Sequence, residues 1–178
     1  MVARQPSYTE LEAGLAEILL SPRERGSLVM IVRRPQRGER EVLEAAELDV
    51  AEGLVGDRWA LGKRRRVEQI TLMNARLAAL IAQTRDRWPL AGDQLYVDFD
   101  LSLAHLPPGS RVAIGAAEIE VSPEPHRGCR LFRERYGEDA QRFVNSTNGV
   151  AWQLRGINAW VVKSARVRVG DEVRALFD

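Results

Sequence analysis

The sequence is poor in the residues that most often announce a mechanism. Its 178 residues include one cysteine and two histidines. A lone cysteine cannot close an internal disulfide, which excludes a disulfide-framed scaffold and fits a reducing compartment. One cysteine with His105 and His126, lacking metal-ligand spacing, cannot assemble a structural zinc site either. Charge of one sign is not in excess: the formal net charge is +1. Nucleic-acid readers usually carry a basic excess or stripe, so no nucleic-acid partner is expected. The one dense basic run, Lys63-Arg64-Arg65-Arg66, reads either as a solvated loop or as an anion site. No apolar run approaches the roughly 18 residues that a membrane span needs. Residues 1–7 lack the apolar core of a signal peptide, so a cytoplasmic protein without membrane association is expected. Gly53-Leu54-Val55-Gly56-Asp57 has neither Walker spacing nor a following Lys-Ser or Lys-Thr, which removes the phosphate-loop class.

What is present describes an ordinary globular chain of one-domain size, 45% hydrophobic and 29% charged. Ser7 and Glu10 have capping-box spacing. Leu11, Leu15, Ile18 and Leu19 then recur at helical period until Ser21-Pro22. This helix should pack its apolar stripe onto the domain or onto a second copy. Beyond it, short β-like runs dominate: residues 28–32, 67–72, 95–99, 157–162, 165–169 and 172–176. Residues 112–114 and 118–121 read as a hairpin around Gly115. Asn74 is a good N-cap for a helix carrying Leu77, Leu80 and Ile81. Another helix is expected between Cys129 and Asn145. Short strands with turn residues every 8–12 positions imply a mainly β domain, a barrel or a sandwich, decorated by a few helices.

The segment with most chemical content is residues 122–132, SPEPHRGCRLF. Two prolines fix an extended path after a strand. Gly128 permits a close approach of backbone, and Cys129 opens a helix bearing Leu131, Phe132 and Tyr136. Arg127, Arg130 and His126 beside a cysteine at a helix start should favour the thiolate, the form needed by a sulfur acceptor or a soft-metal ligand. The competing reading is a buried cysteine packed as a small hydrophobe. Cys129 and His126, three residues apart, do not form a protease-like pair, so His126 reads as a polar or ligand contact rather than a general base.

A set of ordered motifs then resembles MOSC domains: residues 53–58 (GLVGDR), 69–74 (QITLMN), 106–115 (LPPGSRVAIG), 126–129 (HRGC) with Phe132 and Tyr136-Gly137, 154–159 (LRGINA) and 167–171 (VRVGD). The resemblance runs from about Leu28 to the chain end. It implies a β-barrel-like domain over residues 26–178, with residues 1–25 as an N-terminal helical extension. The family is named for the C-terminal domain of molybdenum cofactor sulfurases. Some members carry sulfur as a persulfide on one reactive cysteine, and others bind the molybdenum cofactor (a molybdopterin) and reduce N-hydroxylated compounds.

By resemblance, Cys129 is the reactive residue in either case, and the molybdenum ligand if that cofactor is bound. Asp57, Arg58, His126, Arg127, Arg155 and Asn158 fall at candidate cofactor-binding positions. Arg58 would grip a phosphate or else close the barrel through a salt bridge; Arg155 and Asn158 reach the pocket or pin a turn. Asn145 and Asn148 are candidates of the same kind. Pyridoxal phosphate would enter only through a separate cysteine desulfurase, and an electron-transfer protein is the alternative partner. The sequence departs from the pattern at Trp59, where many members have histidine, and at His126-Arg127-Gly128, where others have an Arg-x-Pro arrangement; both change the pocket wall, and they support a third reading, a non-catalytic cofactor-binding module that keeps the fold without the chemistry.

Overall fold

The structure, a computed structural model, describes residues 4–177. In chain order the elements are α1 (Tyr8–Leu19), β1 (Gly26–Arg33), β2 (Glu41–Leu43), β3 (Ala45–Asp49), β4 (Gly53–Leu54), β5 (Ile70–Asn74), α2 (Ala75–Ala82), β6 (Leu95–Asp98), β7 (Arg111–Ile114), β8 (Ala117–Val121), α3 (Arg130–Tyr136), α4 (Glu138–Asn145), α5 (Thr147–Ala151), β9 (Ile157–Lys163), β10 (Ala165–Arg168) and β11 (Glu172–Leu176). Short 3₁₀ turns occupy Arg58–Leu61, Arg66–Glu68 and Arg85–Ala91.

Seven strands close into a barrel in the order β11-β7-β8-β9-β5-β6-β1, with β1 returning to pair with β11. All of these pairings are antiparallel except β5 with β6. A parallel pair needs a crossover, here α2 and the 3₁₀ turn Arg85–Ala91. β2 extends the sheet beyond β1, and β10, β3 and β4 form a separate three-stranded sheet. The barrel alternative is therefore the one realised.

Period-two patterning explains the barrel interior. Ala117, Ile119 and Val121 of β8 alternate inward with Glu118 and Glu120 outside. They join Leu28, Ile31, Ile70, Leu72, Leu95, Val97, Val112, Ile114, Ile157, Ala159, Val161 and Val173 in one core. A second core lies outside the barrel, where Met30, Val32, Met73 and Tyr96 meet α1, α2, α3 and α4. Burying each such large apolar side chain contributes roughly 1.5–3 kcal/mol.

The local signals hold at α1 and α2. Ser7 and Glu10 form a reciprocal capping box, and Asn74 Oδ1 accepts from the amides of Arg76 and Leu77. α1 docks on the domain itself: Leu11 is fully buried, and Tyr8 meets Phe143 edge-on with ring centroids 5.9 Å apart. Two local expectations differ from the structure. Val67 and Glu68 lie in a 3₁₀ turn, and the strand starts at Ile70; the turn is held by Arg66, whose guanidinium stacks 4.9 Å over the Trp160 ring. A further helix, α5, follows α4, capped by Ser146 on the amide of Gly149.

At one rim of the barrel the topology gathers charged and polar residues from distant positions. Arg34 follows β1, Asp93 precedes β6, residues 122–129 follow β8, Arg155 precedes β9, and Asn158 lies in β9.

Candidate functional site

Cys129 is exposed and forms the N-cap of α3. The peptide before it is clamped. Asn145 of α4 accepts from the Gly128 amide at 2.9 Å and donates to the Gly128 carbonyl at 2.9 Å, while Gln141 donates to the same carbonyl at 3.0 Å. Gly128 is required by close packing: a Cβ there would lie 2.8 Å from Val144 Cγ2. Asn145 thus acts as a brace for the cysteine segment. Asn148 is exposed.

Cys129 stands on the wall of a cavity of about 400 Å³ lined by seven arginines: Arg34, Arg37, Arg40, Arg58, Arg127, Arg135 and Arg155. No carboxylate lines it. A neighbouring cavity of about 620 Å³ shares Arg34, Arg58, His126 and Arg127, and adds Trp59, Lys63, Arg64 and Arg65. The basic run therefore faces a cavity rather than only solvent, although Arg65 is partly neutralised by Glu68 and Glu124. Among the described residues, Arg37, Arg58 and Arg127 make no ion pair and no side-chain hydrogen bond. Crowding lowers the proton affinity of the guanidinium groups. Arg40 is held below the usual guanidinium range by desolvation and by Arg135 and Arg58; Arg58 is lowered by desolvation and by Arg34. Both remain charged at neutral pH, so the cavity carries a net positive charge that an anion would neutralise.

The acids of the neighbourhood are committed to the scaffold. Asp57 is fully buried and accepts from Arg34 Nε, Arg34 Nη2 and the Arg34 amide, each at 2.9 Å, and from the Trp59 amide at 3.0 Å. It cannot also serve a ligand. The salt bridge considered for Arg58 is made by Arg34 instead, leaving Arg58 free at the cavity edge. Arg155, 6% exposed, donates to Asp93 Oδ2 at 2.7 Å and to the Ala91 carbonyl at 2.9 Å, and its guanidinium lies 4.9 Å over the Phe132 ring. It shapes the wall from behind, with its Nε unpartnered.

His126 stands where three cavities meet, since it lines the two just described and a smaller one of about 170 Å³. Its Nδ1 lies 3.2 Å from Asn158 Oδ1, and its Nε2 lies 3.5 Å from Asp93 Oδ1. Asn158 is oriented by donating its Nδ2 to the Glu124 carbonyl at 3.1 Å. Burial, reinforced by Arg155 and Arg34 and opposed by Asp93, pushes His126 down to about 4. It is neutral at physiological pH.

Of the candidates read from sequence, Cys129, Arg58, His126, Arg127, Arg155 and Asn158 converge on this rim, and Asp57 supports it from inside. The positive surroundings expected of Cys129 exist, but of their expected sources only Arg127 lines the cavity with a charge. Arg130 points to solvent and pairs with Glu134, His126 is neutral, and the charge comes from Arg34, Arg37, Arg40, Arg58, Arg127, Arg135 and Arg155. Asp93, Arg34, Arg37, Arg40 and Arg135 were not legible as site residues, because their segments carry no chemical motif and only the fold brings them together. Among the described residues, no group of three or more His, Cys, Asp or Glu could hold a metal ion, and no helix is long and apolar enough to cross a membrane.

Comparisons with known proteins agree with this architecture. The structure is similar to that of the YuaD protein from Bacillus subtilis, with TM-score 0.64 and 16% identity over 86% of this chain and 97% of that one. It is similar to YiiM from Geobacillus stearothermophilus, with TM-score 0.58 and 11% identity over 85% of this chain and 75% of that one. YiiM from Escherichia coli gives TM-score 0.56 and 17% identity over 85% and 70%. No curated protein matches the sequence. The family profile of the MOSC domain matches residues 68–174, a span holding β5 to β10, the cysteine segment, Asp93, Arg155 and Asn158. The chain belongs to the MOSC domain family.

Proposed function

We propose that the protein carries sulfur on Cys129 as a persulfide, for molybdenum cofactor or metal–sulfur cluster chemistry. The observation behind this reading is an exposed thiol on the wall of a cavity lined by arginines and no acid. The Cys129 thiolate attacks the outer sulfur of a persulfide on a donor protein. The donor's S–S bond breaks, its cysteine leaves as a thiolate with the electron pair, and a new S–S bond forms at Cys129 Sγ. The proton on the transferred sulfur is conserved and there is no net oxidation. A cysteine desulfurase, itself dependent on pyridoxal phosphate, is the natural donor. The brace from Asn145 and Gln141 holds the thiol outward for such a partner, and Arg58 and Arg127 favour the anionic persulfide.

A second reading is supported by the size and charge of the basin. The residues present fit a molybdenum cofactor: a soft cysteine ligand at Cys129, unpaired Arg58 and Arg127 for its phosphate, and Trp59 along the wall. Bound there, that group supplies two-electron chemistry suited to reducing N-hydroxylated compounds, with electrons from a partner protein. Arg155 and Asp93 set the shape of the wall, and the clamped Gly128 peptide fixes where Cys129 Sγ stands.

Molybdenum per chain, measured by mass spectrometry in the wild type and in Cys129→Ala from a host that makes the cofactor, separates the two. Near-stoichiometric metal that vanishes in the variant establishes the oxidoreductase reading. Metal-free protein that gains one sulfur atom on Cys129 after incubation with a desulfurase and cysteine establishes the carrier. Metal-free protein that gains no sulfur overturns both.

A further inference from the structure

The Asp93–His126 contact is one proton short. Asn158 Nδ2 is committed to the Glu124 carbonyl, which turns Oδ1 toward His126. Nδ1 must then carry the ring hydrogen of the neutral imidazole, an assignment made from the network. Nε2 consequently presents a lone pair to Asp93 Oδ1 across 3.5 Å. Asp93 is fully buried, and this oxygen has no donor, while its other oxygen is held by Arg155. Two acceptors facing each other in a buried position is a costly arrangement. A second proton on the ring would convert it into a charge-assisted hydrogen bond.

The charges around His126 explain why that proton is absent. Arg155 and Arg34 face the ring from the approach to β9 and the end of β1. Arg58 and Arg127 line the same cavities, and the other acids of the neighbourhood are committed elsewhere: Glu68 and Glu124 pair with Arg65, and Asp57 with Arg34. Only Asp93 opposes this repulsion, together with the desolvation of the ring. An anion in the basin would neutralise the arginines and leave Asp93 unopposed.

We propose that the basin beside Cys129 takes up an anionic ligand together with one proton, which comes to rest between His126 Nε2 and Asp93 Oδ1. This rests on the reading of the basin as the protein's functional site, and it makes His126 and Asp93 positioning residues that set the basin's charge. Both ring nitrogens face protein partners, so neither hands a proton to the ligand. The coupling instead favours ligands of high negative charge, such as oxyanions and phosphate esters, because the proton uptake restores positive charge that the ligand has cancelled.

Sulfate is a suitable probe, since its own charge does not change over the range of interest. Its binding is measured by calorimetry in buffers of differing ionisation enthalpy, which counts the protons taken up. Wild-type affinity is expected to tighten as pH falls from about 7 to about 5, by at most about tenfold per unit, with uptake approaching one proton per sulfate. His126→Gln and Asp93→Asn are expected to bind sulfate with no pH slope and no proton uptake. Asp93→Asn also strips Arg155 of its partner, so a cooperative melt checks that variant's fold, and His126→Gln alone suffices if it fails. Wild-type proton uptake retained in His126→Gln overturns the proposal, as does sulfate binding to the wild type without uptake, or no binding at all. Sulfur loading of Cys129, followed separately, succeeds or fails independently of each of these results.

Discussion

The clearest test of how the fold presents Cys129 is a pair of substitutions one residue away from it. In Gly128→Ala the new methyl meets Val144 Cγ2 at 2.8 Å and the Asn145 amide atoms at 3.3 and 3.4 Å. Val144 is 1% exposed and β-branched on a helix, so its χ1 cannot swing away cheaply. Nor can Gly128 retreat, because both sides of its peptide are held by Asn145 and Gln141. Overpacking of this kind costs about 1–3 kcal/mol. Val144→Ala alone should cost about 2 kcal/mol through lost burial and a small cavity. Combined, the two methyl groups exchange places in space, and the double variant should lose about 2 kcal/mol rather than the sum. The favourable coupling is then about 1–3 kcal/mol, well outside the scatter seen for independent sites. Urea unfolding with linear extrapolation supplies the four stabilities. The rate of Cys129 alkylation, changed in Gly128→Ala and restored in the double variant, ties the packing to the thiol. Additivity within about 0.5 kcal/mol would refute the claim that close packing on α4 selects glycine at 128.

Other consequences are equally direct. Arg58→Ala and Arg127→Ala should each leave stability within about 0.5 kcal/mol. They should slow alkylation of Cys129 by anionic iodoacetate severalfold more than by neutral iodoacetamide; no difference between the two reagents would remove the basin's attraction for an incoming anion. Arg34→Met strands the buried Asp57 carboxylate and should cost about 3–5 kcal/mol in chemical denaturation, whereas a loss below about 1 kcal/mol would mean that Asp57 finds other partners. His126, neutral and pushed down to about 4, makes the unfolded chain bind more protons than the native one between about pH 6.5 and about 4. Stability from this group is full above about 6.5 and is lost as pH falls toward 4, by about 3 kcal/mol in all. His126→Gln in sulfate-free buffer should flatten that slope, and an unchanged slope would assign it to carboxylates elsewhere.

Where a few adjacent residues decide the structure, the sequence was readable. Ser7 with Glu10, Asn74 before an apolar helix, and the hairpin at Gly115 each carry their own physical signal, and each forms as expected. β2 and β3 were not readable, because their burial is patchy and no alternation marks them, and β4 is only two residues long. α5 begins with Thr147, Asn148 and Gly149, poor helix formers, and depends on the Ser146 cap. The same division applies to the site. Cys129, Arg127 and His126 share one short segment, so their proximity is written in the chain. Asp93 and Arg34 reach the rim only through the long-range pairing of β1 with β6, β6 with β5 and β5 with β9, and a buried acid in a loop such as Gly92-Asp93-Gln94 has no local signature. The partners of Asp57 and Arg58 show the limit most plainly. Adjacent in sequence, they point to opposite fates, one sealed inside by Arg34 and the other left free at the cavity.

Barrel closure also has a temporal side. β1 is among the first strands to leave the ribosome, yet it meets β11 through Gly26 opposite Val173 and Ser27 opposite Glu172. Until residues 172–176 have been made, β1 and β7 each keep an open edge, and the nascent chain exposes two templates for strand addition. Gly26 is also confined on its β6 side, where a Cβ would lie only 2.2 Å from the Asp98 carbonyl oxygen. A chain interrupted shortly before residue 172 would retain the cysteine segment and every arginine of the basin, and still lack the stave that turns a curled sheet into a sealed vessel.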